Sequence, residues 1–130
     1  MKRLLLGLML LMTATAASAE WTLIGDNDRF IQYVDLATIR RNGNLVKMWS
    51  SSDYKTVQKA ADGQSYLSSK VQDEFDCMEE KTRLLAFTWF GGKMGNGKVV
   101  VSNGNVRGEW EPISPGSVNE VLWKIACGKK

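Results

Sequence analysis

The chain has 130 residues, 44% of them hydrophobic, with a formal net charge of +3 and no histidine. That length suits one domain with a modest core. The missing histidine removes the commonest general base and the commonest metal ligand together, and so small a charge leaves no electrostatic footprint for nucleic acid.

Residues 1–19 read as an export signal. Lys2 and Arg3 form a short positive start, and an apolar run follows from Leu4 to Met12. Ala17-Ser18-Ala19 then sets small residues at the −3 and −1 positions before Glu20, the pattern of a signal-peptidase site. The run falls well short of the ~20 apolar residues that span a membrane. Cleavage between Ala19 and Glu20 leaves 111 residues as a single domain, 20–130, and lowers the net charge from +3 to +1. The expectation is an exported chain with no stable membrane anchor and no polybasic segment for anionic lipid. Its expected compartment is the periplasm, with the cell surface and the medium as alternatives.

The punctuation of the remaining chain is of β type. Asn-Gly occurs at 42–43, 96–97 and 103–104, and Asp-Gly at 62–63; these pairs are strong hairpin signals because turn residues there must tolerate positive φ. Strands are expected over Trp21–Gly25, Phe30–Val34 and Leu45–Ser51, and one helical turn over Asp35–Arg41. Tyr66–Cys77 is the longest alternating run, with Leu67, Val71, Phe75 and Cys77 on one face and Ser68, Lys70, Gln72, Glu74 and Asp76 on the other. Asp73 breaks that alternation, as a bulge or a sheet edge would. Thr82–Phe90, Lys98–Ser102 and Val106–Ile113 complete the set, and a sheet of about six strands is expected from it.

The end of the chain changes period. Pro115-Gly116 stops the last strand, and Ser117 with Glu120 three residues on has the form of a capping box. Val118, Val121, Leu122 and Ile125 then fall on one helical stripe, and Gly128 can close the helix. Cys77 and Cys127 are the only cysteines, so in an oxidising compartment they have one pairing. A reactive pair would sit close together, as Cys-x-x-Cys; fifty positions apart, a structural bridge from sheet to helix is expected. The fold class is therefore α+β: an antiparallel sheet with a C-terminal helix packed on one face and tied by that disulfide.

Chemical motifs are few. Gly92–Lys98 has the glycine and lysine spacing of a phosphate-binding loop, but Val99 stands where that motif needs Ser or Thr, and a strand follows where it needs a helix. A flexible glycine-rich hairpin loop is expected instead. Asp73, Glu74, Asp76, Glu79 and Glu80 crowd around Cys77 without the spacing of a calcium loop, which reads as a solvated strand end. No catalytic residue, metal ligand or cofactor is assigned. Five tryptophans survive signal removal, at positions 21, 49, 89, 110 and 123, more than a small two-layer domain is expected to hide. Partly exposed tryptophan favours recognition, and Trp89-Phe90 beside Gly91-Gly92 is the candidate binding patch.

The order of these features resembles the surface-adhesin protein E family of Gram-negative bacteria. Trp21, Tyr33-Val34-Asp35, Arg41-Asn42-Gly43-Asn44 and Val46-Lys47-Met48-Trp49 carry the first half of the likeness. Tyr66, Ser68, Lys70, Glu74-Phe75-Asp76-Cys77, Arg83, Trp110, Pro112, Ser114-Pro115-Gly116-Ser117 and Cys127 carry the second. The resemblance implies an antiparallel sheet whose concave face holds a C-terminal helix by a disulfide. It implies adhesion without catalysis, through binding of host extracellular-matrix proteins. The lipid-bearing N-terminal cysteine of the family's name-giving adhesin has no counterpart here. A soluble periplasmic module sharing only the fold is the alternative, and a small periplasmic hydrolase a third reading that lacks a visible acid–base pair. A second copy of the chain, as a homodimer, stays open as a further partner.

Overall fold

Seven antiparallel strands, one α-helix and a 3-10 turn at Lys93–Gly95 make up the ordered elements of residues 20–130, the part of the chain that the computed structural model describes. The strands are β1 (Thr22–Asp26), β2 (Phe30–Asn42), β3 (Leu45–Lys59), β4 (Ser65–Asp76), β5 (Lys81–Phe90), β6 (Val99–Asn103) and β7 (Glu111–Pro112); α1 covers Val118–Cys127. Short hairpins join successive strands, so the sheet order β1-β2-β3-β4-β5-β6 follows the chain, with β7 pairing the start of β5. The signal-peptide expectation lies outside the described residues, apart from exposed Glu20.

Turn chemistry explains the hairpins. Asn27 accepts the backbone N–H groups of Arg29 and Phe30 on its side-chain oxygen, closing the β1–β2 turn. Gly43 and Asn44 are the two residues between the paired Asn42 and Leu45, and Gly43 takes φ 61°. Glycine thus occupies the first turn position, where a Cβ would be strained. Asp76 accepts the N–H groups of Met78 and Glu79, both at 3.0 Å, at the β4–β5 turn.

Three expectations change. The helical turn over Asp35–Arg41 is a bulge inside β2: Asp35 pairs Trp49 and Arg40 pairs Lys47, leaving Leu36–Ile39 opposite Met48 alone. The local turn contacts exist, with Thr38 Oγ1 donating to the Asp35 carbonyl at 2.6 Å, but pairing on both sides keeps the segment in the sheet. The strand over Val106–Ile113 shrinks to Glu111–Pro112. At Asp73 the irregularity is a bulge, since β4 lies inside the sheet and its register on β5 shifts between Gln72 and Asp73.

The core lies between α1 and the middle of the sheet. Val34, Val46, Met48 and Phe75 meet Leu122, Trp123, Ala126 and Cys127. Ser117 caps α1, accepting the Glu120 N–H at 3.2 Å, and Gly128 ends it at φ 65°. The buried stripe is rotated from the expected one. Val121 is 44% exposed, while Trp123 is buried and donates Nε1–H to the Asp76 carbonyl at 2.9 Å. The Cys77–Cys127 disulfide, with Cα atoms 5.6 Å apart, draws that side of the helix onto the end of β4.

Candidate functional site

On the helix-bearing face the sheet extends well past α1. A groove of about 380 Å³ opens there between the N-terminal turn of α1 and the strands β2 to β5. That size falls within the range of ligand sites. Its walls are mixed. Phe30, Val71, Leu84, Val118 and Leu122 supply apolar surface; Gln32, Ser50, Ser52, Tyr54 and Asn119 supply polar groups. Strand register explains the gathering: Phe30 pairs Tyr54, Gln32 pairs Ser52, and Ser50 pairs Val71, all on one face.

Among the described residues, Asp73 is the only carboxylate lining this groove. Its cross-strand neighbours are Met48 on β3 and Leu84 on β5. Among the described residues no hydrogen bond or ion pair reaches its carboxylate. Burial among these apolar neighbours pushes the Asp73 carboxyl up to about 7. An acid on an apolar face, half-buried and lining a cavity with no partner among the described residues, makes this groove the candidate site.

An aromatic row continues from the groove across the sheet. Phe30 meets Tyr54 edge-on with centroids 6.1 Å apart, and Tyr54 meets Tyr66 edge-on at 5.7 Å. Tyr66 stacks on Trp89 at 4.5 Å, and Trp89 lies 5.5 Å from Phe87. The register of β3 on β4 shifts between Asp53 and Gln58, and beyond that shift Tyr66 joins the row. Such pairs add to burial energy and fix one another's rings.

The proposed Trp89-Phe90 patch divides accordingly. Both residues are half-buried. Trp89 belongs to the aromatic row, whereas Phe90 pairs Ser68 and faces the other side, under the glycine loop. Adjacent strand residues point to opposite faces, so the two do not form one surface. None of the five tryptophans is fully exposed: Trp123 is core, Trp49 lies under Lys70 and Trp110 under Arg83.

The glycine loop is anchored, not a free hairpin tip. Met94 N–H donates to Asp53 Oδ1 at 3.1 Å, Gly95 N–H to Ser68 Oγ at 3.0 Å, and Ser68 Oγ–H to the Gly92 carbonyl at 2.6 Å. A Cβ at Gly92 would lie 2.8 Å from the Asn96 carbonyl oxygen. Glycine here serves close backbone packing, and β6 follows where a phosphate loop needs a helix.

The acids around Cys77 serve separate purposes instead of forming one solvated end. Asp73 faces the groove, and Asp76 closes a turn. Glu74 is buried on the opposite face, accepting Arg83 Nε–H at 2.9 Å and Nη2–H at 2.5 Å. Among the described residues, no cluster of metal-ligating side chains is found, and no helix is long and apolar enough to cross a membrane.

The molecule is a meander sheet with one disulfide-tied helix and a groove between them. The chain belongs to the surface-adhesin protein E family, which matches residues 21–128. Its fold is that of Haemophilus influenzae protein E. One crystal form of that protein superposes with a TM-score of 0.61 at 10% identity, covering 88% of this chain and 94% of that one. A second structure, from non-typeable Haemophilus influenzae, gives 0.57 at 9% identity over 85% and 86%. No curated protein sequence matches the chain.

Proposed function

We propose that this chain is an exported, non-enzymatic protein-binding domain that engages extracellular-matrix proteins through the helix-bearing face. The single observation that carries the reading is the aromatic row running into the groove. Half-buried tyrosine and tryptophan on a rigid sheet offer a large contact area at small entropic cost. Family membership supports adhesion and an exported or surface location. The groove chemistry supports binding over catalysis: beside Asp73 its only other titratable side chain is Tyr54, so no acid–base pair faces a substrate.

The exported form starts at Glu20 in this account and resides in the periplasm or beyond it. Intact mass of the exported protein tests the cleavage, and retention of residues 1–19 would overturn it. Cell fractionation assigns the compartment. Immobilised matrix proteins test the function: saturable binding of the exported chain at micromolar concentration supports it. No binding leaves a periplasmic module that shares only the fold.

A further inference from the structure

We infer that the groove captures one basic side chain, a lysine or arginine, of a protein partner, with the Asp73 carboxylate as its counter-ion and the Val71, Leu84 and Leu122 side chains beside its stem. The inference rests on the protein-binding reading above and names what that partner must present.

Three features of the groove select a cation. First, Asp73 is its only charged side chain, and nothing else among the described residues neutralises it. The surrounding elements present Met48 and Ser50 from β3, Leu84 from β5, Gln32 from β2, and Val118, Asn119 and Leu122 from α1. None of these carries charge, so the potential at the floor is that of one carboxylate in a weakly screening wall. Second, the walls suit an amphipathic stem. Lysine and arginine carry a long apolar chain below a charged head, and Val71, Leu84 and Leu122 offer that chain apolar surface around the acid. Third, Ser50 lines the groove one row from the acid, with Ser52 and Gln32 farther along it. The Ser50 hydroxyl oxygen can accept a donor that Asp73 leaves over, while Gln32 Oε1 is already held by Ser52 Oγ–H at 2.7 Å. An acidic or purely apolar partner would leave the carboxylate buried without compensation, which is unfavourable.

Capture links to protonation. With the carboxyl at about 7 in the empty groove, only the ionised form accepts the cation, so binding releases a proton below that pH. The expected affinity is about tenfold weaker at about pH 6 than at about pH 8.

The test is an NMR titration of the exported chain with a blocked Gly-Gly-Arg-Gly-Gly peptide at millimolar concentration, with the citrulline peptide as its uncharged counterpart. The expected result is selective shifts at Asp73, Leu84 and Leu122 with arginine only, a lowered Asp73 carboxyl pKa at saturation, and loss of the Leu84 and Leu122 shifts in Asp73→Asn. Equal shifts with citrulline, shifts confined to the Asp76–Glu80 turn, or no shift at either pH would overturn the inference, and none of these needs the variant to fold. The outcome is separable from the parent reading. Matrix binding that persists without arginine capture removes only the groove's role, and capture without any matrix binding removes only the matrix reading.

Discussion

Tyr66 and Trp89 stack with ring centroids 4.5 Å apart and planes 18° from parallel, joining β4 to β5 on the helix-bearing face. The contact makes Trp89 part of the sheet's packing as well as of its surface. Trp89→Ala is therefore expected to lower stability by about 1–3 kcal/mol, from lost burial and lost stacking. Trp89→Phe, which keeps a ring, is expected to lose less. Urea unfolding followed by far-UV circular dichroism measures both. An unchanged midpoint in Trp89→Ala would mean that the stack does not form.

Asp73 gives stability a definite pH dependence. Its carboxyl is raised in the fold from 3.8 to about 7, so between those values the folded chain binds more protons than the unfolded one. Stability contributed by this group falls as pH rises from about 4 to about 7 and stays low above that. Asp73→Asn removes the slope. The variant is expected to match the wild type near pH 4 and to exceed it by roughly 2–4 kcal/mol near pH 8. Paired urea titrations at the two pH values measure the difference; a wild type as stable as the variant at the higher pH contradicts it.

The buried Glu74 and the partly exposed Arg83 form an unequal pair, with side chains 7% and 35% exposed. Removing the arginine strands a buried carboxylate, while removing the carboxylate leaves a guanidinium that still reaches water and the Trp110 ring. Arg83→Ala is expected to destabilise by about 3 kcal/mol, and Glu74→Gln by less. Denaturation midpoints of the two variants decide the order, and the reverse order would contradict the placement of Glu74.

The disulfide joins residues 50 positions apart and fixes α1 to the end of β4. Replacing both cysteines with serine is expected to cost about 2–5 kcal/mol. It should also release Trp123 from the Asp76 carbonyl, shifting its fluorescence toward that of solvated indole. Non-reducing mass spectrometry of the wild type should show one linked peptide pair. Two free thiols would contradict the bridge.

Much of this architecture is legible in the sequence because its signals are local. Alternation over 66–77, glycine at 43 and 63, the Ser117 cap and Gly128 each act within a few residues, and two cysteines admit one pairing. The groove is not legible, because Phe30, Tyr54, Asp73 and Leu122 come from four elements and only strand register brings them together. One signal did point to it: Asp73 is an acid on the apolar parity of its strand. The Trp89-Phe90 patch went the other way, since strand alternation alone sends the two rings to opposite faces. At 35–41 the turn chemistry is present, but pairing with β3 on either side overrides it.

In the proposed mode of binding, partners dock on the helix-bearing face along the aromatic row. Equilibrium binding of the exported chain to immobilised matrix proteins, comparing Trp89→Ala and Tyr54→Ala with Trp49→Ala, tests it directly. Trp49 pairs Gln72 on the opposite face and serves as the control. Saturable wild-type binding is expected, with a loss of about 30-fold, near 2 kcal/mol, in a row variant, and wild-type affinity for folded Trp49→Ala. Equal affinities in all folded variants, or a loss confined to Trp49→Ala, would contradict it.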